Sequence, residues 1–255
     1  GAERPLREAL ALAKQSDPGG EMVIYASDAL ATALTEQGRE GESVPYRRDA
    51  YRQARVMAGP ANEMTLNLGD ELAGALSRTG KGEEAAATYR TQADAYESAF
   101  GPADSRTLTA RNNLAVELSR LGRHQEALAL DEELVRIRET ELGPTHPDTL
   151  VSYGNLAFDL TALERHGEAA EMRRRLLDGR RATLGPDDPA TLAAGDDLAE
   201  SLIRLGRNRE ATPIYEHNLE ARLAALGPDD PETLRSRVKL VQALVDAGRA
   251  AEAGE

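Results

Sequence analysis

Two columns of leucine run through this chain, four residues apart. Leu30, Leu72, Leu114, Leu156, Leu198 and Leu240 fill the first, and Leu34, Leu76, Leu118, Leu160, Leu202 and Leu244 fill the second. A spacing of four places both on one face of a helix. Each column repeats every 42 residues. Further along each period a small-residue column follows: Ser43, Ala85, Ala127, Ala169, Ala211 and Ala253. The pattern predicts two helices per period, the first facing the core through leucine, the second approaching it closely through alanine.

Glycine punctuates this pattern at two points. Gly-Pro pairs begin at Gly59, Gly101, Gly143, Gly185 and Gly227. A second marker stands at Gly38, Gly80, Gly122, Gly206 and Gly248, with Glu164 in the missing slot. Each period therefore reads as helix A, a Gly turn, helix B and a Gly-Pro turn. Helix A is preceded by Asn62, Asp104, His146, Asp188 and Asp230, side chains able to accept from the free amides of a first helical turn. Pro147, Pro189 and Pro231 follow where a helix loses no amide bond to proline. Helix B stops at the next Gly-Pro, where glycine takes positive φ and proline blocks continuation. If the A–B turn keeps its geometry at Glu164, glutamate there is strained by roughly 1 kcal/mol relative to glycine.

The predicted units run 21–62, 63–104, 105–146, 147–188 and 189–230, followed by a partial unit 231–255. Residues 1–20 contain one more helix, over 3–15, expected to be the B helix of a preceding partial repeat. Repeat arrays close their ends with polar caps, and neither end here has a recognisable one, so the expectation is a fragment of a longer polypeptide, the alternatives being a further disordered tail or ends covered by another chain.

Leu142-Gly-Pro-Thr-His-Pro-Asp-Thr-Leu150, the Asn-Leu-Ala triplets at Asn113 and Asn155, and the Leu-Gly-Arg-x-x-Glu-Ala runs from Leu121 and Leu205 resemble the tetratricopeptide repeat in its 42-residue, kinesin-light-chain form. Small residues at the helix crossing (Ala115, Ala157 and Ala199 against Ala127, Ala169 and Ala211) favour it over HEAT-type repeats of similar period. The resemblance implies an all-α fold, a right-handed α-solenoid (superhelix) of antiparallel helix pairs. Its concave groove, lined by A helices, binds a peptide or another protein. In actinobacteria, repeats similar to these commonly form the C-terminal sensor of large NTPase regulators of the NB-ARC or STAND type. Here no Gly-x-x-x-x-Gly-Lys-Ser/Thr occurs, so on that analogy the nucleotide switch lies outside this sequence.

Composition narrows the partners. Net charge is −13, which opposes general nucleic-acid binding and docking on anionic membranes. There is no Cys, hence no disulfide, thiolate metal site or Cys nucleophile. No apolar run approaches a membrane span and no signal peptide is seen, so the expected setting is soluble and cytoplasmic. Three basic residues are Lys (Lys14, Lys81, Lys239) and the rest Arg. With abundant Ala and Gly, this resembles the composition of a high-GC bacterium.

Carried over from the family, the groove-facing residues are Asn112, Asn113, Arg120, Asn155, Phe158, Asp197, Arg204, Arg235 and Lys239. An Asn amide both donates and accepts, so Asn113 and Asn155 suit the backbone of an extended peptide. Phe158 suits an apolar anchor. Against this stands the plainer reading that the Asn column braces neighbouring helices and Phe158 fills the wall. The carboxylate clamp of chaperone adaptors is incomplete: Arg235 and Lys239 occupy its third-helix positions, but Asp197, Phe158 and Gly154 stand where Asn and Lys are required. Arg173, Arg174, Arg175, Arg180 and Arg181 form either an acidic-partner site or a solvated face. The four His (124, 146, 166, 217) lack zinc-ligand spacing, and no Gly-x-Ser-x-Gly elbow occurs. The expectation is a non-catalytic module with no cofactor and no metal. The alternative is an assembly scaffold, a homo-oligomer stacked through the repeat ends, above all the apolar face of 231–247.

Overall fold

A computed structural model of the chain describes residues 3–246 and 248. The described residues form twelve α-helices and no strand. They are α1 (Glu3–Ser16), α2 (Glu21–Glu36), α3 (Glu40–Ala58), α4 (Glu63–Arg78), α5 (Gly82–Phe100), α6 (Ser105–Arg120), α7 (His124–Leu142), α8 (Pro147–Ala162), α9 (His166–Leu184), α10 (Pro189–Arg204), α11 (Asn208–Leu226) and α12 (Pro231–Asp246). The even-numbered helices are the A helices of the sequence pattern and the odd-numbered ones the B helices. The sixth helix B, with Ala253 of the small-residue column, falls outside the described residues.

Two compact units divide the chain, residues 1–130 and 131–255. Within each unit a helix packs on its successor in sequence: α1 through α6 in the first unit, and α8 through α12 in the second. The first leucine column is buried from Leu30 to Leu198 and the second from Leu34 to Leu244. Ala115, Ala157 and Ala199, like Ala127, Ala169 and Ala211, are fully sequestered. A core built this way needs few large anchors, since alanine lets helix axes approach until backbone packs on side chain.

Chemistry at the helix ends follows the sequence. Asn62, Asp104, Asp188 and Asp230 each accept a bond from the amide two residues on, at 2.8–3.0 Å. His146 does the same through Nδ1, at 3.2 Å from the Asp148 amide. The Arg-x-x-Glu of the repeat motif is a local ion pair at the start of helix B, seen at Arg39–Glu42, Arg123–Glu126, Arg165–Glu168 and Arg207–Glu210. Gly122 takes φ of +75°, its amide bonding Ser119 O while that of Arg123 bonds Leu118 O. Glu164 holds the same turn at φ of +60°, with matching bonds from Glu164 to Thr161 O and Arg165 to Leu160 O. Among the described residues it alone is a non-glycine at positive φ.

Candidate functional site

In each unit the A helices present polar columns, and B-helix side chains reach beneath them. Asp28, Asp70 and Asp196 occupy one such column, one turn-position before the Asn-Leu-Ala slot. In the first unit Gln92 of α5 is fully buried and donates through Nε2 to Leu66 O at 2.6 Å and to Asp70 Oδ1 at 3.3 Å. Tyr96 donates its hydroxyl to Asp70 Oδ2 at 2.6 Å. Burial pushes the Asp70 carboxyl up, and these two bonds hold it down. In the second unit Asn218 of α11 repeats the arrangement, donating to Leu192 O at 2.8 Å and to Asp196 Oδ1 at 2.6 Å. Arg222 adds a bond to Asp196 Oδ2 at 3.1 Å and another to Ser236 Oγ at 2.6 Å.

Glycine makes room for these amides. A Cβ on Gly69 would lie 2.3 Å from the Gln92 carboxamide, and one on Gly195 3.0 Å from that of Asn218. Where the same slot holds Arg111 or Tyr153, the partner 23 residues on is Leu134 or Leu176, and where it holds Ser27 the partner is Ala50. This pairing, visible when the repeats are laid over one another, was the signal in the sequence for a buried polar network. The A-helix columns alone did not reveal it.

A second B-helix column lies under the A helices at Arg47, Asp131 and Arg173. Arg47 is buried and paired with Glu71, with Asp28 Oδ1 3.8 Å away. Arg173 donates to Ser201 Oγ. Asp131 is 1% exposed and no donor reaches either of its oxygens. Its neighbour is the buried carboxyl of Asp159 on α8. Burial first, then this acidic neighbour, pushes Asp131 up to about 8.

The sequence-derived candidates divide between the units. In the first, Asn113 lines a pocket of about 250 Å³ with Asp70, Tyr96, Arg106 and Thr109. Asn112 is half-buried beside it in sequence. Arg120 is exposed and tied down, donating to Ser77 Oγ and to the buried Glu117 at 3.2 Å. In the second unit Asn155 is half-buried and Phe158 is 58% exposed on α8. Asp197 stands exposed on α10, with Arg173 as its principal countercharge. Arg204 lines a pocket of about 390 Å³ with Glu200, Tyr215, Val238 and Lys239. Lys239 is engaged internally, 2.8 Å from Glu200 and 3.4 Å from Asp196. Arg235 pairs with Glu232 on its own helix.

The arginine run on α9 does not form one patch, because helical periodicity turns its members apart. Arg173 and Arg180 point toward α10, the latter donating to Ala190 O at 2.7 Å. Arg174 meets Glu210, and Arg175 meets Glu139 and Glu171. At the far end α12 exposes Leu234, Val238, Val241 and Val245. Among the described residues no group of His, Asp and Glu has metal-binding geometry, and no helix is long and apolar enough to cross a membrane.

Capped A helices, glycine turns, an alanine crossing and polar A-helix columns together define a helical repeat array. The tetratricopeptide repeat model matches residues 63–140, 106–182, 148–211 and 190–254, and the chain belongs to that family. This fold is typical of protein-interaction modules, generally non-catalytic scaffolds. Comparison with curated proteins gives no match. Among solved structures, the tetratricopeptide-like repeats of a kinesin light chain from Podospora anserina are 23% identical, with a TM-score of 0.69 over 80% of this chain and 96% of that one. BtubC (BKLC) from P. vanneervenii is 21% identical, with a TM-score of 0.66 over 89% and 90%. The apo form of RapI is 10% identical, with a TM-score of 0.73 over 97% of this chain and 67% of its own. At these identities the likeness is one of fold.

Proposed function

We propose that this chain is a peptide- or protein-binding module whose A-helix faces form the binding surface, within the cytoplasmic sensor or adaptor part of a larger bacterial regulatory protein of the NB-ARC or STAND type. The observation that carries the reading is Phe158. A phenylalanine more than half exposed, three residues from a half-buried Asn155 and on the same helix, is placed for contact and not for the core. Asn113 occupies the corresponding position on α6, at the edge of a pocket. Amides beside an aromatic anchor hold an extended backbone and fix one side chain, which is how a modest surface gains affinity from a few residues. Within the second unit Asp197, Arg204 and Arg235 add charge on α10 and α12. The regulatory context rests on the repeat type and the Arg- and Ala-rich composition. It is tested by the size of the native polypeptide in its source cell: a much longer product carrying a nucleotide-binding motif supports it, and a product of this size removes it.

The binding claim is tested with peptides selected from a random library on the intact chain. Asn113→Ala with Asn155→Ala should weaken the selected peptides by at least about tenfold, about 1.4 kcal/mol, with the melting temperature unchanged. Undiminished binding overturns the groove assignment. The exposed Leu234, Val238, Val241 and Val245 of α12 favour a second reading, self-association through this face. Light scattering over a dilution series separates the two, since a monomer at every concentration removes the second.

A further inference from the structure

The first unit contains a pocket that the groove candidates do not include. It lies between α2 and α4, has a volume of about 440 Å³, and is walled by Ile24, Met64 and Leu68, with Tyr25 at its side. Its polar lining is three carboxylates, Asp28, Glu63 and Glu71, and one amide, Asn67. Beneath it lies the buried Arg47, paired with Glu71 and 3.8 Å from Asp28 Oδ1. Asp28 Oδ1 is itself buried and accepts no hydrogen bond. Two carboxylates over one guanidinium leave a net negative charge at the bottom of a pocket whose sides are apolar.

That combination specifies its occupant. A metal ion has no use for apolar walls, and no metal-binding cluster of carboxylates is present among the described residues. A neutral apolar side chain would leave Asp28 and Glu71 desolvated and uncompensated. A long aliphatic stem ending in a positive charge satisfies both features, its methylenes against Ile24, Met64 and Leu68 and its charged end at the carboxylates. Resting on the reading of the A-helix faces as a binding surface, we propose that this pocket receives a lysine or arginine side chain of a basic peptide segment of the partner. The chain's net charge of −13 favours approach by such a segment. Burial first, then the neighbouring Glu71, pushes the Asp28 carboxyl up to about 6. Tyr25, whose hydroxyl donates to Glu21 at 2.9 Å, is more than half exposed beside the pocket, and an aromatic ring favours a guanidinium.

The test is an amide NMR titration of the intact chain with n-butylguanidinium and n-butylammonium, against the neutral n-butylurea at equal ionic strength. The expected result is saturable shifts centred on Tyr25, Asp28, Met64 and Glu71 with the cations. Affinity for the urea should be at least about tenfold lower, and Asp28→Asn should weaken the cations by a similar factor. Should Asp28→Asn disturb folding, the cation–urea comparison on the unaltered chain decides alone. Shifts that fail to saturate, that spread over the acidic surface, or that are equal for urea and cation overturn the proposal. If library-selected peptides depend on Asn113 and Asn155 yet carry no basic residue, the groove reading stands and this one falls. If basic peptides bind through Asp28 and Glu71 while the Asn variants have no effect, this pocket stands and the groove assignment falls.

Discussion

Single residues carry the repeat's departures from its own pattern, and two of them have measurable consequences. Glu164 adopts the turn its five glycine siblings adopt, at φ of +60°. A Cβ in that region is unfavourable by roughly 1 kcal/mol. Glu164→Gly is therefore expected to raise the melting temperature by about 2–4 °C, and a fall on calorimetry would show that the side chain compensates for its backbone. Asp131 is the other case. Its carboxyl moves from the ordinary 3.8 to about 8 on folding, so the folded chain retains a proton that the unfolded chain has released above about pH 4. Stability from this group is full below that pH and is lost as pH rises through about 8. Asp131→Asn should flatten that dependence and gain roughly 1–3 kcal/mol over the native chain at pH 8.5. Denaturant melts from pH 5 to 8.5 that run parallel for the two proteins would rule this out.

At the scale of the helix, the elements were legible in the sequence because their punctuation is local. Caps, Gly turns and leucine spacing act within one or two turns of chain, and α2 to α12 alternate as those signals dictate. His146 shows how far this goes: a His in an Asp/Asn column was read as a cap, and its Nδ1 accepts the Asp148 amide. What lies between helices was less legible. Gln92, Asn218, Arg47 and Arg173 reach under neighbouring A helices, and nothing within their own helix announces it. The signal is relational, a small residue in one helix paired with a long polar one 23 positions later. The Gly69–Gln92 pair makes this testable. Gly69→Ser alone overfills the site and should destabilise by about 1–3 kcal/mol. Gly69→Ser with Gln92→Ala recreates the Ser27–Ala50 pair and should recover part of that loss. Additive effects in a double-mutant cycle would deny the coupling.

For the whole molecule, the period and family placed the fold, while the candidate residues had to be carried over position by position. Some landed on surfaces that can meet a ligand: Asn113 lines a pocket and Phe158 is more than half exposed. Others were consumed by the array: Lys239 by Asp196 and Glu200, and Arg120 by Ser77 and Glu117. A column says which face a side chain lies on and not whether a neighbour has already claimed it. Surfaces built from the same columns therefore differ from helix to helix, acidic and pocketed at α2–α4, aromatic at α8, and apolar at α12. Ligand contact with the A-helix faces is the basis of the proposed function. It is tested most directly by photo-crosslinking library-selected peptides carrying benzophenone and mapping the adducts by mass spectrometry. Adducts are expected on A helices, at or beside Asn113, Asn155 and Phe158 and in the Asp28–Glu71 pocket. Adducts confined to B helices or to the Leu234–Val245 face of α12 would contradict it.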